Sequence, residues 1–142
     1  EEKFVMMNRL FRLLLAVVLL ISPVGVIAET TNDLPELWCA VIESFECTSG
    51  QACRQGLPES INFPRIIKID FKKKTIIDDQ FGQSIRTTMI DKLQEIDGKL
   101  ILNGTQEGMG WTVVINQSNG DLTLSATDDQ FGFIVFGACT PK

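Results

Sequence analysis

From residue 64 onward, apolar and polar positions alternate with a period of two, the pattern of strands buried on one face. Over residues 65–72, Ile67, Ile69 and Phe71 alternate with Lys68, Asp70 and Lys72. A short β-branched run follows at 75–78, and a longer, weaker alternation occupies 85–96. Asp97-Gly98 is a strong hairpin signal, because a two-residue hairpin turn needs positive φ at its central positions. A strand at 99–103 then leads into a glycine-rich connection at 103–110. Residues 111–116 place Trp111, Val113 and Ile115 on one face. Asn119-Gly120 marks a second hairpin turn, after which Leu122, Leu124 and Ala126 alternate with Asp121, Thr123 and Ser125. Residues 131–139 are apolar on both faces, the pattern of a strand covered on both sides.

Turn signals recur roughly every 8–12 residues with no long helical pattern between them. The fold class this predicts is all-β: a small antiparallel meander closed into a barrel, or packed as a sandwich. Gly132 and Gly137 in the last strand favour the barrel, since glycines allow the bends that closure needs. Residues 33–46 are ambiguous. Leu34, Leu37, Trp38, Val41, Ile42 and Phe45 fit helical spacing with Asp33 as N-cap. Alternation also fits a strand from 38 to 46, with Cys39, Val41 and Glu43 facing one way, and the strand is preferred because it can lie beside the last strand.

The first 28 residues read differently. Arg9 and Arg12 form a positive segment, residues 13–21 are unbroken apolar, and Pro23 and Gly25 precede the small-residue end Val26-Ile27-Ala28. This is the pattern of a secretory signal peptide cleaved after Ala28, and its apolar run is shorter than the roughly 20 residues a membrane span requires. Residues 1–5 precede the first methionine and read as an over-extended start. Residues 29–142 are then one domain with no membrane span, exported in soluble form. The 28-residue leader holds three of the 13 basic and two of the 18 acidic residues, so the domain carries a net charge of −6.

An exported chain with four cysteines implies two disulfides, for which three connectivities exist. Cys47 and Cys53 bracket a short glycine-containing loop and are paired on that ground, which leaves Cys39 to join Cys139 and staple the two ends of the domain. No Cys-x-x-Cys spacing is present, and a chain without histidine has no imidazole to complete a zinc shell, so no metal site is expected.

Composition narrows the chemistry further. Hydrophobic residues make up 44% of the chain and charged residues 22%, which argues for a packed core rather than disorder. Without histidine, Ser-His-Asp and Cys-His arrangements are impossible. The acidic balance, with a pI near 4.7, argues against nucleic acid as partner. The only basic run, residues 72–74, fits protection of a strand edge. The pentapeptide Asp-Asp-Gln-Phe-Gly occurs at 78–82 and again at 128–132. Its flanks do not match, so it reads as one turn solution used twice, with solvated aspartates. No catalytic residue and no cofactor is assigned.

The order Trp38-Cys39, Glu46-Cys47, Cys53, Asn62-Phe63-Pro64, Ile69-Asp70-Phe71, Gly110-Trp111 and Phe136-Gly137-Ala138-Cys139-Thr140-Pro141 resembles small exported proteins of Gram-negative bacteria. That resemblance implies a periplasmic location and brings no activity with it. In size and disulfide style the chain is also similar to the periplasmic lysozyme inhibitors, which are small β-barrels. The expectation is therefore a monomeric, periplasmic, non-catalytic binding protein. Its partner is either a small apolar or amphipathic molecule, held by Trp111, Val113 and Ile115 facing inward, or an envelope enzyme engaged through an exposed loop at 103–110 or 128–132.

Overall fold

The computed structural model describes residues 34–80 and 83–142; the leader expected at 1–28 lies outside them. Among the described residues ten strands follow one another: β1 (Leu37–Thr48), β2 (Arg54–Gly56), β3 (Ile66–Asp70), β4 (Thr75–Gln80), β5 (Gln83–Met89), β6 (Lys92–Ile96), β7 (Lys99–Gln106), β8 (Met109–Asn116), β9 (Asp121–Thr127) and β10 (Phe131–Pro141). A single 3-10 turn, Pro58–Ile61, separates β2 from β3. Among the described residues no helix is long and apolar enough to cross a membrane.

All pairings are antiparallel, in the order β5-β4-β3-β1-β10-β9-β8-β7-β6, with β2 added to the upper half of β1. The first and last strands are thus neighbours at the centre of the sheet. The ambiguous segment at 33–46 is strand, because Leu37, Cys39 and Val41 alternate into the core and Cys39 lies directly opposite Cys139 in register. Both expected disulfides are present: Cys39–Cys139 spans 100 positions of sequence, and Cys47–Cys53 spans six.

The sheet curls until its two outer strands meet at one point. Ile90 N donates to Lys74 O (2.8 Å) on the β4 side, and the next amide, Asp91 N, donates to Asn103 O (2.9 Å) on β7. The chain therefore leaves one edge of the sheet and joins the other within two residues, which splits the single alternation expected over 85–96 into β5 and β6. Above that seam no backbone ladder links β5 to β7 among the described residues; the gap is bridged by the Thr88 hydroxyl, which bonds the Gln106 side-chain carbonyl. The result is a barrel pinched shut at one level and open toward one end.

The core is made by the alternating positions. Ile67, Ile69 and Phe71, then Val113 and Ile115, then Leu122, Leu124 and Ala126 are buried. On β1 the alternation shifts phase: Val41 pairs with Gly137 but Glu43 with Phe136, so Ile42 is an extra residue, a β-bulge, and stands 67% exposed. Glu43 therefore does not share the inner face with Cys39 and Val41 as alternation alone implied; Ser44 takes that place and is buried.

Three further expectations are corrected. Residues 103–110 are not a loop, because β7 and β8 run through them to a two-residue turn at Glu107 (φ 51°) and Gly108 (φ 85°). That turn has the same type I′ geometry as Asp97 (φ 51°) and Gly98 (φ 71°). At the Asn119-Gly120 signal only Gly120 has positive φ; the chain makes a wider loop in which Gly120 N donates to Asn116 O. Strand β10 is covered on one face only: Val135 is fully buried, while Ile134 and Phe136 are exposed on the other side, where Phe136 meets Phe45 edge-to-face at 6.0 Å.

Candidate functional site

The open end of the barrel is a pocket of about 300 Å³, at the small end of the range for ligand sites. Four elements build it. The segment after the 3-10 turn brings Ile61, Asn62 and Phe63 over one side. Its direction is set by Asn62, whose left-handed backbone (φ 53°) ends the turn and lets Phe63 N donate back to Pro58 O at 3.0 Å. Strands β4 and β5 contribute Asp78, Arg86 and Thr88; the β7–β8 hairpin contributes Gln106, Glu107 and Met109; and β10 contributes Phe131 and Phe133. Ile67, Ile76, Trp111, Leu124 and Ala126 close the floor.

The walls differ in chemistry. Along the β10 side, the Phe63 and Phe133 rings pack at 5.7 Å and the Phe131 and Phe133 rings at 6.2 Å, both inclined. This is an aromatic wall with one end in the core and one at the mouth. The opposite wall is polar and follows the incomplete seam, because there β5 and β7 lack a shared ladder and side chains fill the gap. Asp78 and Arg86 are register partners across β4 and β5. Immediately beyond them Asp79 pairs with Ser84, so Ile85 is an extra residue in β5, and this bulge sits beside the pocket. Asp78 is only 6% exposed.

The two copies of Asp-Asp-Gln-Phe-Gly therefore do different work. In the second copy the Asp128 carboxylate accepts from the amides of Gln130 (2.8 Å) and Phe131 (2.7 Å), which makes the turn into β10. Those two amides hold its carboxyl below the ordinary carboxylate range, Gln130's contribution being the larger. In the first copy Asp78 lies within β4 and is buried against the pocket, so the expected solvated turn aspartate is corrected there. Sequence reasoning missed it because Asp before Gly reads as turn chemistry. The extension of β4 through Asp78, on the same face as the buried Ile76, makes the difference.

Of the residues singled out for a pocket, Trp111 lines it, at its floor. Val113 and Ile115 follow on the same face of β8 but deeper, 0% and 2% exposed in the solid core. Trp111 comes close to the backbone of Gly104 on β7, its cross-strand partner. Its indole nitrogen is buried without a hydrogen-bond partner among the described residues. Among the described residues no three of Cys, Asp and Glu converge in a way that would hold a metal ion.

The Cys47–Cys53 disulfide and β2 tie down the loop that carries Ile61 to Pro64. Ser49 N donates to Gln130 O at 2.9 Å, which joins the loop closed by Cys47–Cys53 to the β9–β10 turn. The far end of the barrel is tied by ion pairs. There Glu36 bridges Lys68 (3.1 Å) and Lys142 (3.2 Å), tying β3 to both ends of the domain.

The chain matches no family model, no curated protein and no solved structure.

Proposed function

We propose that this protein is a non-catalytic binding protein that holds a small amphipathic molecule in the mouth of its barrel, in the periplasm. One observation carries the reading. The sheet is closed at Ile90–Asp91 and left open above it, and the opening is an aromatic-walled pocket with a few polar groups on one side. A site of this kind buries an apolar body and fixes its orientation through a small number of polar contacts. Two disulfides support export to an oxidising compartment, as do the leader-like residues 1–28. The periplasm in particular rests on the resemblance of the cysteine-bearing motifs to exported Gram-negative proteins.

The test uses the indole at the pocket floor. Trp38→Phe leaves Trp111 as the sole tryptophan. Titration of that oxidised variant with neutral phenylbutanol is expected to shift Trp111 emission saturably. Emission that changes only in proportion to added alcohol, with no saturation up to its solubility, would remove the pocket as a binding site.

A protein partner is the second reading, and one observation favours it. The outer face of β1 and β10 presents Ile42, Ile134 and Phe136, which are 67%, 37% and 40% exposed, with Phe45 packed against Phe136. The expected loop at 103–110 does not serve that reading, since it is strand. Replacing Ile42 and Phe136 by Ser is expected to leave phenylbutanol binding intact, and loss of capture of an envelope hydrolase by that variant alone would favour the partner.

A further inference from the structure

Between β1 and β3 the chain makes an excursion, residues 49–65, that folds back beside the upper half of β1. Its strand, β2, adds to residues 44–46 of β1 through three register pairs. Buried Pro58 anchors its middle, the Phe63 ring meets that of Phe133, and Val41 N donates to Arg65 O (2.8 Å) at its end. Ile61, Asn62, Phe63 and Pro64 of this excursion line the pocket. It is thus a strap along one side of the mouth, pinned at its start by Cys47–Cys53 and by the bond from Ser49 N to Gln130 O.

The two disulfides differ in access. Cys53 lies in a fully exposed stretch, residues 49–55, and Cys47 is half-buried. Cys39 is 0% exposed, on β1 between β3 and β10. A thiolate must reach a sulfur to displace its partner, so access decides which bridge exchanges first. Loop length points the same way, because opening a six-residue loop costs the fold less than opening one of 100 residues. Without the short bridge, the start of the strap keeps its three ladder pairs, the Ser49 bond and two exposed side-chain contacts, Arg54 with Glu46 and Gln55 with Glu43. Exposed contacts of that kind hold weakly.

We infer that Cys47–Cys53 is a thiol-operated catch on this strap: its reduction by a dithiol loosens residues 54–64 at the mouth and lowers the affinity of the pocket. The effect on affinity rests on the ligand-binding reading above; the loosening of the strap does not. In the exchange a thiolate of the dithiol attacks one sulfur of the bridge, and the other cysteine leaves as thiolate and takes up a proton. The second thiolate of the dithiol then displaces the remaining cysteine, which is protonated in turn. Two electrons and two protons pass from the dithiol to Cys47 and Cys53, and the dithiol ends as its own disulfide. The barrel survives because Cys39–Cys139 stays closed at the centre of the sheet.

Dithiothreitol is the probe. The oxidised full chain is exposed to it at about pH 8, and freed thiols are trapped with N-ethylmaleimide and mapped by peptide mass. Cys47 and Cys53 are expected to react at least about tenfold faster than Cys39 and Cys139. Amide hydrogen exchange of the selectively reduced chain is expected to quicken about tenfold over residues 54–64, with β7 and β8 unchanged. In the Trp38→Phe variant, saturation of Trp111 emission is expected to need about threefold more phenylbutanol after reduction and to recover on reoxidation. Cys47→Ser with Cys53→Ser keeps the weaker binding and no longer responds to dithiothreitol. Equal or faster reaction of Cys39 and Cys139, unchanged exchange over residues 54–64, or equal affinity before and after reduction overturns the inference and leaves the pocket reading standing. Quickened exchange with no saturable binding in either state overturns the pocket reading and leaves the catch in place.

Discussion

Trp111 and Gly104 are cross-strand partners on β8 and β7, and the indole occupies the space that a side chain at position 104 would need. The pocket floor exists because of this pair. An indole standing on a bare backbone can lie low in the barrel, leaving free volume above it instead of filling the mouth. Gly104 is therefore a packing glycine inside a strand rather than a turn glycine, with its negative-φ neighbours continuing the ladder on both sides. Gly104→Ala is expected to destabilise the protein by about 1–3 kcal/mol through overpacking. Urea denaturation read by far-ultraviolet circular dichroism measures it, and an unchanged midpoint would show that the indole is free to move aside.

The two disulfides are expected to differ in weight. In the chain-entropy account, closing a loop of about 100 residues stabilises by about 4.7 kcal/mol, and a loop of about six by about 2 kcal/mol. The double replacement Cys39→Ala with Cys139→Ala is thus expected to lower the stability well beyond Cys47→Ala with Cys53→Ala. Removal of the shorter bridge acts instead on the rim, where it frees the loop that carries Phe63. Its expected signature is weaker phenylbutanol binding with a modest change in denaturation midpoint. The reverse ranking of the two midpoints contradicts the assignment of the long bridge as the main staple.

Acid should destabilise the fold, while the neutral range should not matter. The amide of Lys73, and then its ammonium, hold the Asp70 carboxyl below its ordinary value of 3.8. The hydrogen bonds from Lys68 and then Lys142 do the same for Glu36, whose ordinary value is 4.5, and two turn amides do it for Asp128. A carboxyl with a depressed pKa in the folded state stabilises fully above its unfolded pKa, and this contribution is lost as pH falls through the folded value. Urea midpoints are therefore expected to be flat from about pH 8 down to about pH 5, since no histidine titrates there, and to fall steadily below about pH 4. A midpoint that falls between pH 7 and pH 5 contradicts this accounting.

Ser44 offers a test of the bulge. It is 1% exposed, and its hydroxyl has no hydrogen-bond partner among the described residues. A buried hydroxyl without a partner costs about 1–3 kcal/mol of desolvation. Ser44→Ala is therefore expected to leave stability unchanged or to raise it by up to about 1 kcal/mol. A loss of more than about 1 kcal/mol would mean that the phase shift at Ile42 delivers a hydroxyl the fold uses.

Much of the barrel was legible in the sequence, for a simple reason. Strands that bury one face write a period of two, and Ile67-Ile69-Phe71, Trp111-Val113-Ile115 and Leu122-Leu124-Ala126 all do so. The disulfide pairing was legible too, from the short loop between Cys47 and Cys53. What period two cannot encode is the extra residue. The bulge at Ile42 changes which side chains face inward without changing composition, so Ser44 could not be placed from alternation, while Asp78 follows Ile76 on the inner face of β4 but was read as turn chemistry. Nor could the seam at Ile90–Asp91, where the chain changes partner strand while keeping its pattern. The site follows from that seam, so Trp111 was the pocket residue within reach of the sequence, while Arg86, Thr88 and Gln106 were not.

The central claim is that the mouth of the barrel holds a small molecule. Native mass spectrometry of the oxidised chain, purified from an oxidising compartment and compared with its denatured mass, tests it most directly. The denatured mass is expected to be four hydrogens below that of the reduced chain, as two disulfides require. The native spectrum is expected to show a saturable phenylbutanol adduct, lost in Met109→Trp, which fills the pocket from its rim. An adduct that survives Met109→Trp unchanged, or a native spectrum free of adduct at every phenylbutanol concentration, would contradict the account.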